Sequence, residues 1–237
     1  MRSNLFDAAT AEKQTSDRWV LQNSAMLRVS LSQDVLAAKG SMVAYQGRVT
    51  FQHEGSGSLG KLLKKVMTSE DTPLMRVSGQ GEVFFANTAE HVHLILLEGD
   101  GISVDGKNLL AFDASLDWDI RRVQGAGGLS GGMWNVEVSG HGVVALTSDG
   151  PPVLLDCSQQ PTGVDIQAAV AWSSHLAPQL VNSMNVRSLL RGGSGEAFQY
   201  MFHGPGFVLV QPSEGRPLGG QGSGGGNSGG FLGDLMR

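Results

Sequence analysis

Val43-Ala44-Tyr45, Leu110-Ala111-Phe112 and Val170-Ala171-Trp172 set an alanine between an aliphatic and an aromatic residue at three points in the chain. An aliphatic follows four residues after each aromatic, at Val49, Leu116 and Leu176. After about thirty residues more, a spacing typical of structural repeats, each copy reaches a G-x-G. The first is Val77-Ser78-Gly79-Gln80-Gly81-Glu82-Val83 and the second is Val138-Ser139-Gly140-His141-Gly142-Val143-Val144. The third is Phe202-His203-Gly204-Pro205-Gly206-Phe207-Val208. A unit stated three times predicts an all-β chain of three internally repeated β-sandwich units in one pseudo-threefold domain. Its recurring residues build and turn sheets, so they are scaffold rather than chemistry.

The flanking sequence carries the same signal outward. Short apolar runs with period two begin at Trp19 and are broken by glycine. The alternation is clearest in Leu116-Asp117-Trp118-Asp119-Ile120, where the apolar side chains share one face and the aspartates the other. Val29, Leu31 and the Val35-Leu36 pair read as strands, and further strands are expected at Met42–Phe51, Met75–Asn87, Val92–Glu98, Leu109–Arg122, Met133–Thr147, Val153–Asp156, Gln167–Ser173 and Ala197–Gln211. Asp105-Gly106, Asp149-Gly150, Glu54-Gly55 and Glu98-Gly99 supply hairpin or bulge turns. Glycine inside a strand weakens it, so each G-x-G predicts a bulge or a close approach of backbone. One or two short helices are expected in the connections, an amphipathic one at Leu59–Thr68 and a weaker one at Pro178–Leu190.

The chain divides into a polar N-terminal arm (1–18), the repeated all-β domain (19–213) and a Gly-rich flexible tail (214–237). The glycine-rich coil Gly219–Gly230 would span about 20 Å. Beyond it, Phe231, Leu232, Leu235 and Met236 form an apolar end, which reads either as a flexible terminus or as a motif docking on a partner.

Composition narrows the function classes. A net charge of −5 argues against nucleic acid or an anionic membrane as general partners. One cysteine, Cys157, allows neither an internal disulfide nor a cysteine-built zinc site, and fits a reducing compartment. No stretch is apolar for the length of a bilayer, and the amino terminus lacks a secretory core. A cytoplasmic protein without a transmembrane segment is expected, with peripheral membrane association left open.

Several motifs imitate catalytic ones. Gly55-Ser56-Gly57-Ser58-Leu59-Gly60 fits G-x-G-x-x-G, and with Lys61 nearly fits a phosphate-binding loop. No alternating β-α series follows, and Leu62 stands where a magnesium-binding Ser or Thr is needed. Gly128-Leu129-Ser130-Gly131-Gly132 fits the G-x-S-x-G nucleophile pattern but lacks the strand before it and the helix after it. His91 and His93 share a strand face with Glu98 nearby, similar to the first metal motif of cupins; the glycine expected before it is Phe85. A cupin-like metal enzyme using His91 and His93 is the alternative reading. Asp113, Asp117 and Asp119 read as solvated positions, and Trp118, Trp134 and Trp172 as packing. No catalytic, cofactor-binding or metal residue is assigned.

Together, Gly40-Ser41-Met42-Val43-Ala44-Tyr45, Leu109-Leu110-Ala111-Phe112, Val138-Ser139-Gly140-His141-Gly142, Gly195-Glu196-Ala197-Phe198 and Phe202–Gln211 resemble the altered-inheritance-of-mitochondria protein 24 family. The resemblance is to its bacterial form, with Arg121-Arg122-Val123-Gln124-Gly125 similar to actinobacterial versions. It implies a fold like that of the tryptophan RNA-binding attenuator protein. It supplies no reaction, and the mitochondrial members' link to inner-membrane organisation implies assembly or scaffolding. The expected function is a non-catalytic scaffold or protein-interaction module, without a cofactor, forming homo-oligomers or binding another protein.

Overall fold

The structure, a computed structural model, describes residues 2–7, 10–53, 74–122, 134–182 and 198–214. It is nearly all β, as the periodicity predicts. The strands are β1 (Trp19–Asn23), β2 (Met26–Ser30), β3 (Val35–Ala38), β4 (Met42–His53) and β5 (Leu74–Phe85), then β6 (His91–Asp105), β7 (Leu109–Asp113), β8 (Asp117–Arg122) and β9 (Trp134–Ser148). The series ends with β10 (Val153–Asp156), β11 (Thr162–Asp165), β12 (Ala169–Ser173), β13 (Gln179–Asn182), β14 (Phe198–Phe202) and β15 (Phe207–Val210).

Helix is scarce. The single helical piece among the described residues is a 3-10 turn at Asn4–Phe6. The expected helix at Leu59–Thr68 lies outside the described residues. The one expected at Pro178–Leu190 is corrected at its start: Gln179–Asn182 is strand β13, paired antiparallel with β14. Cross-strand pairing to Tyr200 and its neighbours there overrides a weak helical pattern.

The strands do not fall into three separate hydrogen-bonded units. Twelve join one sheet, with the path β1-β2-β5-β3-β7-β9-β6-β12-β15-β10 and with β4 and β8 attached to β5 and β9. The other three form the sheet β11-β14-β13.

Within this arrangement one pairing scheme recurs. β5 takes β2 and β3 on one side and β4 on the other. β9 takes β6 on one side and β7 and β8 on the other. In the last third the long central strand is interrupted: β15 lies between β10 and β12, and β14 lies between β11 and β13. The interruption falls at Gly204-Pro205-Gly206, where proline cannot donate to a ladder.

The alanine signatures are bulges. Pairing passes from Met42↔Phe85 to Ala44↔Phe84, from Leu109↔Leu146 to Ala111↔Ala145, and from Ala169↔Val210 to Ala171↔Leu209. The extra residue is Val43, Leu110 or Val170 in turn, and such an insertion bends and twists the strand. The aromatic then falls opposite Val83, Val144 or Val208, always two residues past the second glycine of the G-x-G.

The aliphatic residue four places later packs over the glycines in the second and third copies. A Cβ added at Gly142 would lie 3.2 Å from Leu116 Cγ, and one at Gly206 would lie 2.9 Å from Leu176 Cδ1. Val49 stands directly opposite Gly79. Gly81 is tighter still. Its φ is +145°, and a Cβ there would run into the backbone carbonyl of Gln46. The close backbone approach read from the sequence is therefore present.

Three clusters form the core. One joins the first two thirds through Val29, Val77, Phe85, Leu110 and Ala145. A second runs from Leu36 through Phe112, Val136 and Val144 to Val170. The third gathers Trp172, Tyr200 and Phe202, with ring centroids 5.6–6.0 Å apart, and includes Cys157 as a free buried thiol. Such rings add about 0.5–1.5 kcal/mol per pair beyond their burial. No helix among the described residues is long and apolar enough to cross a membrane.

Two glycine substitutions separate conformational strain from crowding. Gly40→Ala (φ +82°, nothing within 4 Å of the added methyl) is expected to cost about 1–2 kcal/mol. Gly81→Ala adds a backbone collision and should cost about 4 kcal/mol or more. Urea unfolding midpoints compare the two directly; equal losses would show that the G-x-G is an ordinary turn.

Candidate functional site

Buried ionisable groups are the first place to look for chemistry, and here each is bonded within the fold. Arg28, on β2, is almost fully buried. Its Nη1 donates to Lys13 O at 2.6 Å and lies 3.3 Å from Glu12 Oε1; its Nε lies 3.6 Å from Glu82 Oε1. A hydrogen bond between the two carboxyls holds Glu82 above its usual range, with burial adding to the effect, and holds Glu12 below it. The group fastens the N-terminal arm across β2. The arm is held further by Lys13 Nζ donating to Leu21 O at 2.6 Å and by Gln22 Nε2 donating to Ala11 O at 2.9 Å.

Asp113 departs from the solvated position expected of it. Its carboxylate is buried, forms an ion pair with Arg18 and accepts the Val143 N–H at 2.8 Å. That N–H follows Gly142, so Asp113 secures the region of the second G-x-G. Asp117 is exposed, and the Asp119 carboxylate lies 4.0 Å from Arg121 Nε.

Asp105 ends β6. Burial pushes its carboxyl up to about 6, partly offset by Lys107 with Nζ at 4.0 Å and a backbone N–H at 3.0 Å. The Tyr200 hydroxyl is also held above its ordinary value, by burial and then by the charge of Asp105. This carboxyl folds the turn that Asp105-Gly106 predicted, by accepting the Lys107 N–H.

Of the candidate metal residues, His93 has a hydrogen-bond partner within the fold. His93 Nε2 lies 2.8 Å from Ser148 Oγ, whose hydroxyl donates to Gly150 O at 2.7 Å. With that proton committed, Nε2 is the donor to the serine. Burial, then the neighbouring His91, keeps the His93 imidazole below its usual pKa. Glu98 is exposed further along β6. Among the described residues no group of three His, Cys, Asp or Glu side chains comes together to hold a metal ion. The motifs at 55–60 and 128–132 and the tail residues Phe231, Leu232, Leu235 and Met236 lie outside the described residues.

What the strand periodicity did not disclose is exposed apolar edge. Among the described strands β10 pairs only with β15, and all four of its residues are exposed, Val153 by 59% and Leu154 by 60%. Among the same strands β4 pairs only with β5, and it exposes Val43 by 53% and Tyr45 by 50%. The matching aromatics Phe112 and Trp172 are buried. The run Val153-Leu154-Leu155 lacks the alternation of a half-buried strand, and that is the signal by which the sequence marks it.

Asp105 gives a pH test of these internal assignments. Its folded value of about 6 exceeds its unfolded value of 3.8, so its contribution to stability is full below about pH 4 and is lost as pH rises through about 6. Asp105→Asn should abolish that slope and raise stability at pH 7 by up to about 3 kcal/mol. Urea unfolding at pH 4, 5 and 7 measures it; an unchanged slope would place the titration elsewhere.

Similarity to known proteins agrees with this architecture. No curated protein matches the chain. Seven chains of solved structures do. Among them is protein SPYM3_0169 from Streptococcus pyogenes, 20% identical, with a TM-score of 0.67 over 82% of this chain and 92% of that one. At that identity the likeness speaks for the fold alone. The family model described as Mitochondrial biogenesis AIM24 matches residues 19–213, a span that contains all three signatures. The chain belongs to that AIM24 family.

Proposed function

We propose that the protein is a non-catalytic cytoplasmic β scaffold that binds another protein chain through an open sheet edge. The observation that carries this reading is β10, an edge strand with Val153, Leu154 and Leu155 all exposed. A partner segment added alongside β10 would gain main-chain hydrogen bonds, while alternate side chains would supply specificity. Burying one such aliphatic side chain contributes about 1.5–3 kcal/mol, so two or three suffice for a transient complex. The ionisable groups support the same reading, because buried Arg28 and Asp113 and half-buried His93 are bonded to the fold itself.

The test is cross-linking in the source cell followed by mass spectrometry. Cross-links from the β10 neighbourhood to another protein are expected for the wild type and should be lost with Leu154→Glu, which is expected to shift unfolding by less than about 0.5 kcal/mol. Identical cross-links in both proteins would sink the β10 assignment. Stoichiometric iron, manganese or zinc in protein purified without chelators, with turnover, would overturn the scaffold reading in favour of chemistry at His91 and His93.

A further inference from the structure

The recurring pairing scheme has two internal seams and two matching edges left over. At the first seam β3 runs antiparallel to β7, pairing Val35↔Asp113, Leu36↔Phe112 and Ala37↔Ala111. At the second, the end of β6 runs antiparallel to β12, pairing Ile102↔Ser173, Ser103↔Trp172 and Val104↔Ala171. Both seams join the same two kinds of strand. One is a signature strand, with its bulge and aromatic. The other lies beside the first half of a G-x-G strand: Leu36 faces Arg76, three residues before Gly79, and Ser103 faces Glu137, three before Gly140.

The third signature strand is the start of β4, and the third inner strand is β11. Gly163 of β11 faces Met201, three residues before Gly204, so it holds the place of Leu36 and Ser103. Among the described strands β4 pairs only with β5 and β11 only with β14. Other edges do not share this mismatch. β8 and β13 lack an outer partner just as the second half of β4 does. Only the start of β4 and β11 are open where both of their counterparts are paired. The exposure follows: Tyr45 and Val43 face solvent where Phe112, Trp172, Leu110 and Val170 are buried.

We infer that the missing seam forms between two copies of this chain, with β4 of one pairing antiparallel to β11 of the other. The two internal seams give the register: Tyr45 opposite Gly163, Ala44 opposite Val164 and Gln46 opposite Thr162. A second copy is the occupant because, among the described strands, the edge matched to each of the two is the other. Each copy carries both, so a twofold dimer makes the seam twice and closes. Met42–Gln46 itself contains no charge and no proline, the usual protections of an edge, although Gln46 Nε2 donates to Glu12 of the arm at 3.5 Å. The glycine at 163 leaves room for the aromatic, since it presents no side chain toward its neighbour. This inference rests on the scaffold reading but uses β4 and β11, leaving β10 to another partner.

Single-cysteine variants in a Cys157→Ser background test it. Tyr45→Cys and Gly163→Cys, mixed and oxidised, should give a cross-linked species of twice the chain mass, which neither gives alone. Both positions are exposed or without a side chain, so folding should survive, and thermal unfolding checks this. Tyr45→Lys should raise the dimer dissociation constant in sedimentation by about tenfold or more. Wild-type protein that stays monomeric at high concentration would overturn the inference. So would a disulfide formed inside one chain carrying both cysteines, which would place the seam within the molecule. If Leu154→Glu removes partner cross-links while Tyr45→Cys and Gly163→Cys fail to join, the scaffold reading stands and only this seam falls.

Discussion

The fold depends on one steric fit, an aliphatic side chain laid over a glycine pair in the neighbouring strand. Leu116 occupies the space a side chain would need at Gly142, and Leu176 does the same at Gly206. The bulge at Leu110 or Val170 comes six residues before that leucine, and it sets the twist that carries the chain across the glycines. The fit fixes register as well. A shift of one residue would put a side chain where only hydrogen fits, in addition to turning every core residue outward. In the first third the same place is taken by backbone, with Gly81 against the Gln46 carbonyl. That contact is less forgiving, because backbone cannot choose another rotamer.

Charge is subordinate to this frame. Asp113 satisfies the N–H that follows Gly142, and Arg18 neutralises it from the arm. Arg28 gathers an arm carbonyl and two carboxyls, Glu12 held below its usual range and Glu82 above it by their mutual hydrogen bond. Asp105 is the costly member, since burial works against its charge. Removing one partner from a buried pair leaves the other stranded, a loss of about 3–5 kcal/mol. The polar interior thus orders the arm and the turns, and its perturbed protonation follows from packing.

Most of the strand architecture was legible because its signal is local. Alternation at Leu116–Ile120 gave β8, and Asp105-Gly106 gave the turn into β7. The alanine signature and the G-x-G were readable as a repeat, but not as a bulge and its counterpart, because pairing joins residues about thirty positions apart. β11 and β13 were missed. Each is four residues long with little apolar alternation, and each exists through pairing with β14. The buried state of Asp113 was unreadable for a related reason: its partner Arg18 lies in an arm that local sequence shows only as polar. The exposed edges were hidden differently. Val43-Ala44-Tyr45 looks like Leu110-Ala111-Phe112, and exposure depends on which strands find neighbours.

That last point separates what a repeat specifies from what its ends leave undone. The middle copy meets the copies before and after it through β7 and the end of β6, and those two strand edges are covered. The first copy lacks a predecessor for β4 and the last a successor for β11. Proteins built from repeats usually blunt such ends with charged or capping residues. Here the last third guards β10 only at its margins, with Pro151 and Pro152 before it and Asp156 at its end, and leaves Val153-Leu154-Leu155 bare. Three exposed aliphatics in an edge strand carry a standing risk of aggregation, which a lysine at Leu154 would remove without disturbing the core. The seam proposed between β4 and β11 would cover two of these edges, and a partner strand on β10 the third, so the assembly we propose follows from where the repeat stops.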